Sequence, residues 1–247
     1  MKCYGDFAEI YDRLINTDID YNSWADTIKN VCLKYNLKFD DYIDLGCGTG
    51  NMTEALSRSC SFKNIWAADM SSEMLSRAEI KLRKRGIHCN FICEDITQLD
   101  IKRKFDLVTC CLDCTNYILD KEDLTNYFKG VYDILKNGAL FIFDINSYYK
   151  ISTVLGNNIY SFDNDDIVYI WENVFEDDIV NMYLTFFIKE GKLYRRFDEV
   201  HSEKAYSEKA IEDELKNCGF DILEKRSNYT DNPVKKDTER IVYVVRK

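Results

Sequence analysis

From about residue 40 to residue 146, short apolar runs alternate with amphipathic stretches. The runs at residues 42–45, 64–68, 90–93, 105–111 and 139–144 have the length and composition of buried strands, and most give way to acidic or polar residues at their carboxyl ends. Between them Met74, Leu75, Ala78 and Leu82 recur at helical spacing, behind Ser71 and Ser72, either of which can cap the helix. Leu124, Phe128, Val131 and Leu135 form a second helical stripe that stops near Gly138. Strand–helix–strand alternation builds right-handed crossovers, so this stretch predicts an α/β fold with a parallel sheet covered on both faces.

After residue 163 the period changes to two. Residues 167–171, 179–188 and 192–200 are alternating, aromatic and β-branched, with turns at Glu176-Asp177-Asp178 and Glu190-Gly191, which predicts an antiparallel meander. Residues 207–218 return to a helix capped by Ser207 and ended by Gly219. Strands at residues 220–225 and 240–245 then form a final antiparallel pair. No internal repeat or Pro/Gly-rich linker divides the chain, and one domain with an insertion is expected.

The most specific signal lies where the run Tyr42-Ile43-Asp44-Leu45 breaks into Gly46-Cys47-Gly48-Thr49-Gly50 and a helical pattern follows. Three alternate glycines permit a sharp turn at positive φ and let backbone approach a ligand closely. The dinucleotide fingerprint needs a small residue at position 51, where this chain has Asn51, so an NAD-linked oxidoreductase is the weaker reading. Here the sequence resembles the class I S-adenosylmethionine-dependent methyltransferases, whose first motif, acidic-x-Gly-x-Gly-x-Gly, matches Asp44 through Gly50.

The resemblance implies a Rossmann-like, seven-stranded, mostly parallel sheet with a terminal antiparallel strand. S-adenosylmethionine would be the cofactor and S-adenosylhomocysteine the product. Residues 1–39 would be an N-terminal helical lid, 40–146 the cofactor-binding core, 147–205 an antiparallel substrate roof and 206–247 the completion of the core. Asp44, Gly46, Cys47, Gly48 and Gly50 are the cofactor-binding candidates of the first motif. Asp69 ends the second strand about 20 residues later, where a carboxylate can accept both ribose hydroxyls, and Met70 could pack on the adenine. By resemblance, Asp95 would meet the adenine amino group with Ile96 as backbone partner, and Cys111 and Leu112 would line the methionine and methyl end.

Residues 4–14 resemble the lead-in of small-molecule methyltransferases, including sugar N,N-dimethyltransferases and glycine-type N-methyltransferases. Tyr11 and Trp24 are therefore lid and cofactor-binding candidates, although Phe7, Ile10, Tyr11 and Leu14 at helical spacing equally describe a core face. Glu199-Val200-His201, with Tyr206, closes the meander. Tyr11, Tyr117 and His201 are the catalytic candidates, able to accept a proton from an amine acceptor, with a pH–rate inflection near neutrality expected for His201.

Charge narrows the acceptor. A net charge of −10 and a pI near 4.9 repel phosphate backbones. The basic cluster at residues 81–85 ends a helix, where cations complement the dipole. The fourth-strand exit also lacks the Asp/Asn-Pro-Pro-aromatic and Pro-Cys motifs of the nucleic-acid enzymes. A small-molecule acceptor is expected, with no nucleic-acid and no membrane partner; the oligomeric state is left open. A non-catalytic module that binds the same cofactor remains the alternative. Cys93, Cys110 and Cys111 lie within apolar runs, as thiols of a reducing compartment do. Cys111-x-x-Cys114 has no second pair, and the chain has only His88 and His201, so no metal centre is expected. The first ten residues carry no signal core, and no window approaches 18 apolar residues, so a cytoplasmic protein is expected.

Overall fold

The computed structural model describes residues 11–15 and 19–247. Its main sheet has seven strands in the order β10-β11-β5-β4-β1-β2-β3. The strands are β1 (Asp41–Leu45), β2 (Asn64–Asp69), β3 (Asn90–Cys93), β4 (Phe105–Cys110), β5 (Leu135–Asn146), β10 (Asp221–Ser227) and β11 (Arg240–Arg246). Strands β1 to β5 pair in parallel, whereas β11 runs antiparallel to both β5 and β10. Because the order reverses beside β1, the carboxyl ends of β1 and β4 diverge and leave a crevice between their outgoing loops.

Helices cover both faces for the reasons their apolar stripes give. In α4 (Ser72–Lys84), Met74, Leu75, Ala78 and Leu82 are all buried, and the Ser71 side chain accepts the Met74 amide. In α6 (Glu208–Asn217), Ser207 caps the Ala210 amide and Gly219 follows at φ +96°. Leu135 departs from the expected helical stripe. Helix α5 (Lys121–Ile134) stops one residue earlier, and Leu135 opens β5, buried beside Phe105 across a register shift that the left-handed Gly138 accommodates. The remaining helices are α1 (Tyr11–Ile15), α2 (Tyr21–Lys34) and α3 (Asn51–Ser59).

The inserted meander is a separate antiparallel sheet of four strands: β6 (Ile159–Asp163), β7 (Ile167–Glu176), β8 (Ile179–Glu190) and β9 (Leu193–Lys204). Asp177 and Asp178 both take positive φ, as the two-residue turn requires, and Gly191 does so at the next turn. The sequence pattern did not reveal β6, whose side chains are mostly exposed, or the π-helical turn Lys150–Leu155 that leads into it. One face of the meander packs Val180 and Met182 against Ile151, Leu155 and Ala205. Among the described residues no helix is long and apolar enough to cross a membrane.

Candidate active site

The glycine loop connects β1 to α3, and Gly46, Gly48 and Gly50 all have positive φ (+61°, +53° and +80°). They are glycines for different reasons. A Cβ on Gly46 would lie 2.6 Å from the Cys114 sulfur, and one on Gly50 would lie 3.1 Å from the Ala78 Cβ. Among the described residues a Cβ on Gly48 would meet nothing within 4 Å. At Gly48 the described residues therefore leave beside the backbone the room a close-lying ligand needs. Cys47 is buried, and its amide donates to the Ala68 carbonyl at 3.0 Å, fixing the loop to β2.

Asp69, at the end of β2, accepts the Gly48 amide at 2.8 Å and the Ser71 amide at 2.8 Å on its two oxygens. Burial raises its pKa despite these amides and that of Met70. Each oxygen retains accepting capacity for a hydroxyl at the loop. Asp44 lies beneath, 2 % exposed, accepting from the hydroxyls of Thr53 at 2.6 Å and Thr109 at 2.7 Å. Burial pushes its carboxyl up to about 6, against both hydroxyls. Asp44 thus braces the loop from inside. Met70 is 68 % exposed beside β3, where the Cys93 thiol reaches its carbonyl at 3.6 Å. Asp95 is exposed and caps the short 3₁₀ turn Ile96–Gln98 through the Thr97 amide at 2.9 Å. Gly48, Asp69, Met70, Asp95 and Ile96 therefore follow one carboxyl edge, from β1 across β2 to β3.

The amino-terminal elements close on this loop. Asp12 accepts from Thr49 at 2.6 Å and Asn51 at 3.0 Å and pairs with Lys81 at 2.7 Å. Burial raises the Asp12 carboxyl, but Lys81, Thr49 and Asn51 together bring it below its ordinary value. Leu14, two residues on, packs against the group formed by Ile167, Phe186 and Ile188 of the meander. Tyr11 is half-buried in the same helix. Residues 4–10, with Phe7 and Ile10, lie outside the described residues.

Across residues 43–138 the chain matches the family described as a methyltransferase domain. It is 30% identical over 247 residues to the Bacillus subtilis (strain 168) protein YqeM, which is named as a methyltransferase, covering 99% of this chain and 97% of that one. A crystal structure of an S-adenosylmethionine-dependent methyltransferase from Clostridium acetobutylicum ATCC 824 superposes with a TM-score of 0.92 at 55% identity, over 99% of each chain. The chain belongs to the S-adenosylmethionine-dependent methyltransferases. The sugar N-methyltransferase KedS8 from Streptoalloteichus sp ATCC 53650 shares the fold at a TM-score of 0.79 and 20% identity, covering 100% of this chain and 97% of that one.

S-adenosylmethionine is accordingly the methyl donor of this methyltransferase, and the NAD-linked reading falls. Asn51 has a different use: its side chain anchors Asp12 and receives Lys81.

On the other side of the crevice the segment after β4 carries the cofactor-binding candidates Cys111 and Leu112 and the catalytic candidate Tyr117. Cys111 is buried, and Leu112 is half-buried at φ +62°. The Tyr117 hydroxyl lies 3.4 Å from Nδ1 of His201, with the two rings perpendicular at 5.9 Å. His201 is 5 % exposed, and burial holds its imidazole down to about 4 against the Asp113 charge. Glu199, His201 and Glu203 alternate along one buried face of β9. Burial, with Asp113 adding, lifts the Glu203 carboxyl, which accepts from Asn146 Nδ2 at 2.8 Å.

Trp24 is packed rather than placed as a cover. Its ring stacks on Tyr229 at 4.0 Å, and the Arg240 guanidinium lies over it at 5.4 Å. Sequence reasoning missed Asp12, Lys81, Asp113, Asp144, Glu203, Tyr229 and Arg240. Two signals were available: Asp144 ends a predicted strand, and Arg240 begins one whose other residues, through Val245, are apolar or aromatic.

Proposed function

We propose that this methyltransferase transfers its methyl group to a small-molecule acceptor, an amine, held between the glycine-loop edge and the inner face of the β6–β9 meander. The Tyr117–His201 pair carries this reading: a neutral imidazole and a phenol meet on the segment that leaves β4 beside the glycine loop. When bound, S-adenosylmethionine supplies an electrophilic methyl on a sulfonium centre, so the protein's task is alignment and proton management.

Asp69 and Gly48 hold the nucleoside end, with Asp95, Ile96 and Met70 along the same edge. Cys111 and Leu112 border the methyl end. An amine attacks only when neutral, and His201, kept uncharged by burial beside the Tyr117 hydroxyl, can accept a hydrogen bond from the amine N–H and aim its lone pair at the methyl group. Tyr11 stands on the helix that ties the glycine loop to the meander and would close the cleft as part of a lid formed by residues 1–39. Residues 147–205 would form the roof. Aromatic Tyr160, Trp171 and Tyr169 of β6 and β7 share the inner face of the sheet with Glu199 and His201 of β9, and suit a compact molecule that has an apolar body and a basic group. Two structural neighbours, KedS8 and the amino pentose methyltransferase CalS10, are named for acceptors of this chemistry.

The test is acceptor-dependent formation of S-adenosylhomocysteine across panels of primary and secondary amines, phenols and thiols, with RNA as a separate arm. Turnover on amines supports the reading. Turnover on RNA alone overturns it, and tight S-adenosylhomocysteine binding with no turnover on any acceptor favours a non-catalytic binding module.

A further inference from the structure

Immediately after β4, two consecutive non-glycine residues stand in the left-handed region, Leu112 at φ +62° and Asp113 at φ +55°. Crowding at Cβ makes this region unfavourable for a bulky side chain such as leucine, and two such residues in succession persist only where their surroundings hold them. Distant parts of the chain do so. The Asp144 carboxylate, on β5, accepts the Leu112 amide at 2.8 Å and the Asp113 amide at 2.9 Å. Arg240, the first residue of β11, donates through one nitrogen to Asp144 and through the other to Asp113 at 2.8 Å. The Tyr229 hydroxyl adds a fourth donor to Asp144 at 2.6 Å, and burial keeps that phenol protonated.

This cluster is too specific for a filler of the core. Buried ion pairs add little stability over apolar side chains of equal volume. A planar guanidinium that serves two carboxylates through separate nitrogens of a rigid fork fixes their geometry instead, whereas a lysine offers one nitrogen on a flexible stem. The geometry it fixes lies between the two halves of the site. One residue past the turn, the Cys114 thiol donates to the Gly46 carbonyl at 3.5 Å and occupies the space a Gly46 side chain would need. Three residues further, Tyr117 meets His201.

We propose that Arg240 and Asp144 are positioning residues for methyl transfer: they hold Leu112–Asp113 in a strained turn that sets the backbone between the glycine loop and the Tyr117–His201 pair. The proposal rests on the glycine loop being the cofactor's seat, which binding of S-adenosylhomocysteine to the unaltered chain, and its loss in Gly48→Val, tests separately.

Calorimetry of S-adenosylhomocysteine binding to the full chain tests it. Arg240→Lys keeps the charge but loses the fork, and affinity should fall about tenfold or more while cooperative thermal unfolding is retained. In that background Asp113→Gly, which has no steric cost at positive φ, should return affinity to within about threefold of the unaltered chain. Asp113→Ala removes the same carboxylate but keeps Cβ, and should not. Affinity within about twofold in Arg240→Lys, or equal results for glycine and alanine, would overturn the proposal. Should Arg240→Lys fail to fold, Tyr229→Phe withdraws one donor from Asp144, and the same glycine–alanine comparison is read there against the same thresholds.

Discussion

The Asp69 carboxylate accepts the Gly48 amide at 2.8 Å, so the end of β2 and the middle of the glycine loop form one rigid edge. A ligand that contacts either residue meets both. Asp69→Ala should therefore weaken S-adenosylhomocysteine binding by about 1.5–3 kcal/mol, the range for hydrogen bonds to a charged group. Calorimetry is the measurement. Unchanged affinity would remove Asp69 from the nucleoside site.

The loop glycines should separate by mechanism. Gly48→Val projects into open space, so it should abolish cofactor binding while lowering stability only by the cost of a strained φ, about 1–3 kcal/mol. Gly46→Ala places Cβ against the Cys114 sulfur and should destabilise the fold even without ligand. Cys114→Ala in the same chain should recover part of that loss, measured by chemical denaturation. No recovery would mean that the strain arises elsewhere.

His201 is held neutral down to about pH 4, so the inflection expected near neutrality moves to the acid side. His201→Asn removes the imidazole that orients the amine and should lower turnover by about tenfold or more with little change in cofactor affinity. Stability carries the same signature. The unfolded imidazole binds its proton near its ordinary value of 6.5, and the folded one only near 4. Stability is thus lost as pH falls through that window, by about 3 kcal/mol in all. Denaturation from pH 7 to pH 4 should show a shallower fall in His201→Asn.

Glu203 gives the opposite sign. Burial lifts its carboxyl from 4.5 to about 8, so the native state holds a proton that the unfolded chain releases. Its contribution to stability declines as pH rises from 4.5 through about 8. Glu203→Gln can still accept from Asn146 and should raise stability at pH 9 relative to the unaltered chain, with little difference at pH 4. Equal stability at both values would show that Glu203 ionises freely.

Asp12 joins Thr49, Asn51 and Lys81, and its neighbour Leu14 reaches the meander. If this helix closes over bound cofactor, Asp12→Ala should speed S-adenosylhomocysteine dissociation about threefold to tenfold with little effect on association. Stopped-flow displacement reads both rates. An unchanged dissociation rate would limit the tie to a structural role.

The order of elements was legible in the residues because the information is local. Apolar periodicity changes from helical to alternating at the meander, Ser71 and Ser207 cap the helices they precede, and glycines stand where φ must be positive. The motif at residues 44–50 marked the glycine turn between β1 and α3 for the same reason, since seven adjacent residues carry the whole signal. Leu135 showed the limit of local reading. Its helical spacing was genuine, but pairing beside Phe105 in the sheet outweighed it. What holds the site was decided only by the tertiary structure. Asp113, Asp144, Tyr229 and Arg240 span residues 113–240, and nothing near any of them announces a partner. The antiparallel entry of β11 beside β5 brings Arg240 to the carboxyl edge. Burial there, which no single stretch of sequence encodes, makes a surface-type charge into a clamp and an ordinary histidine into a neutral one.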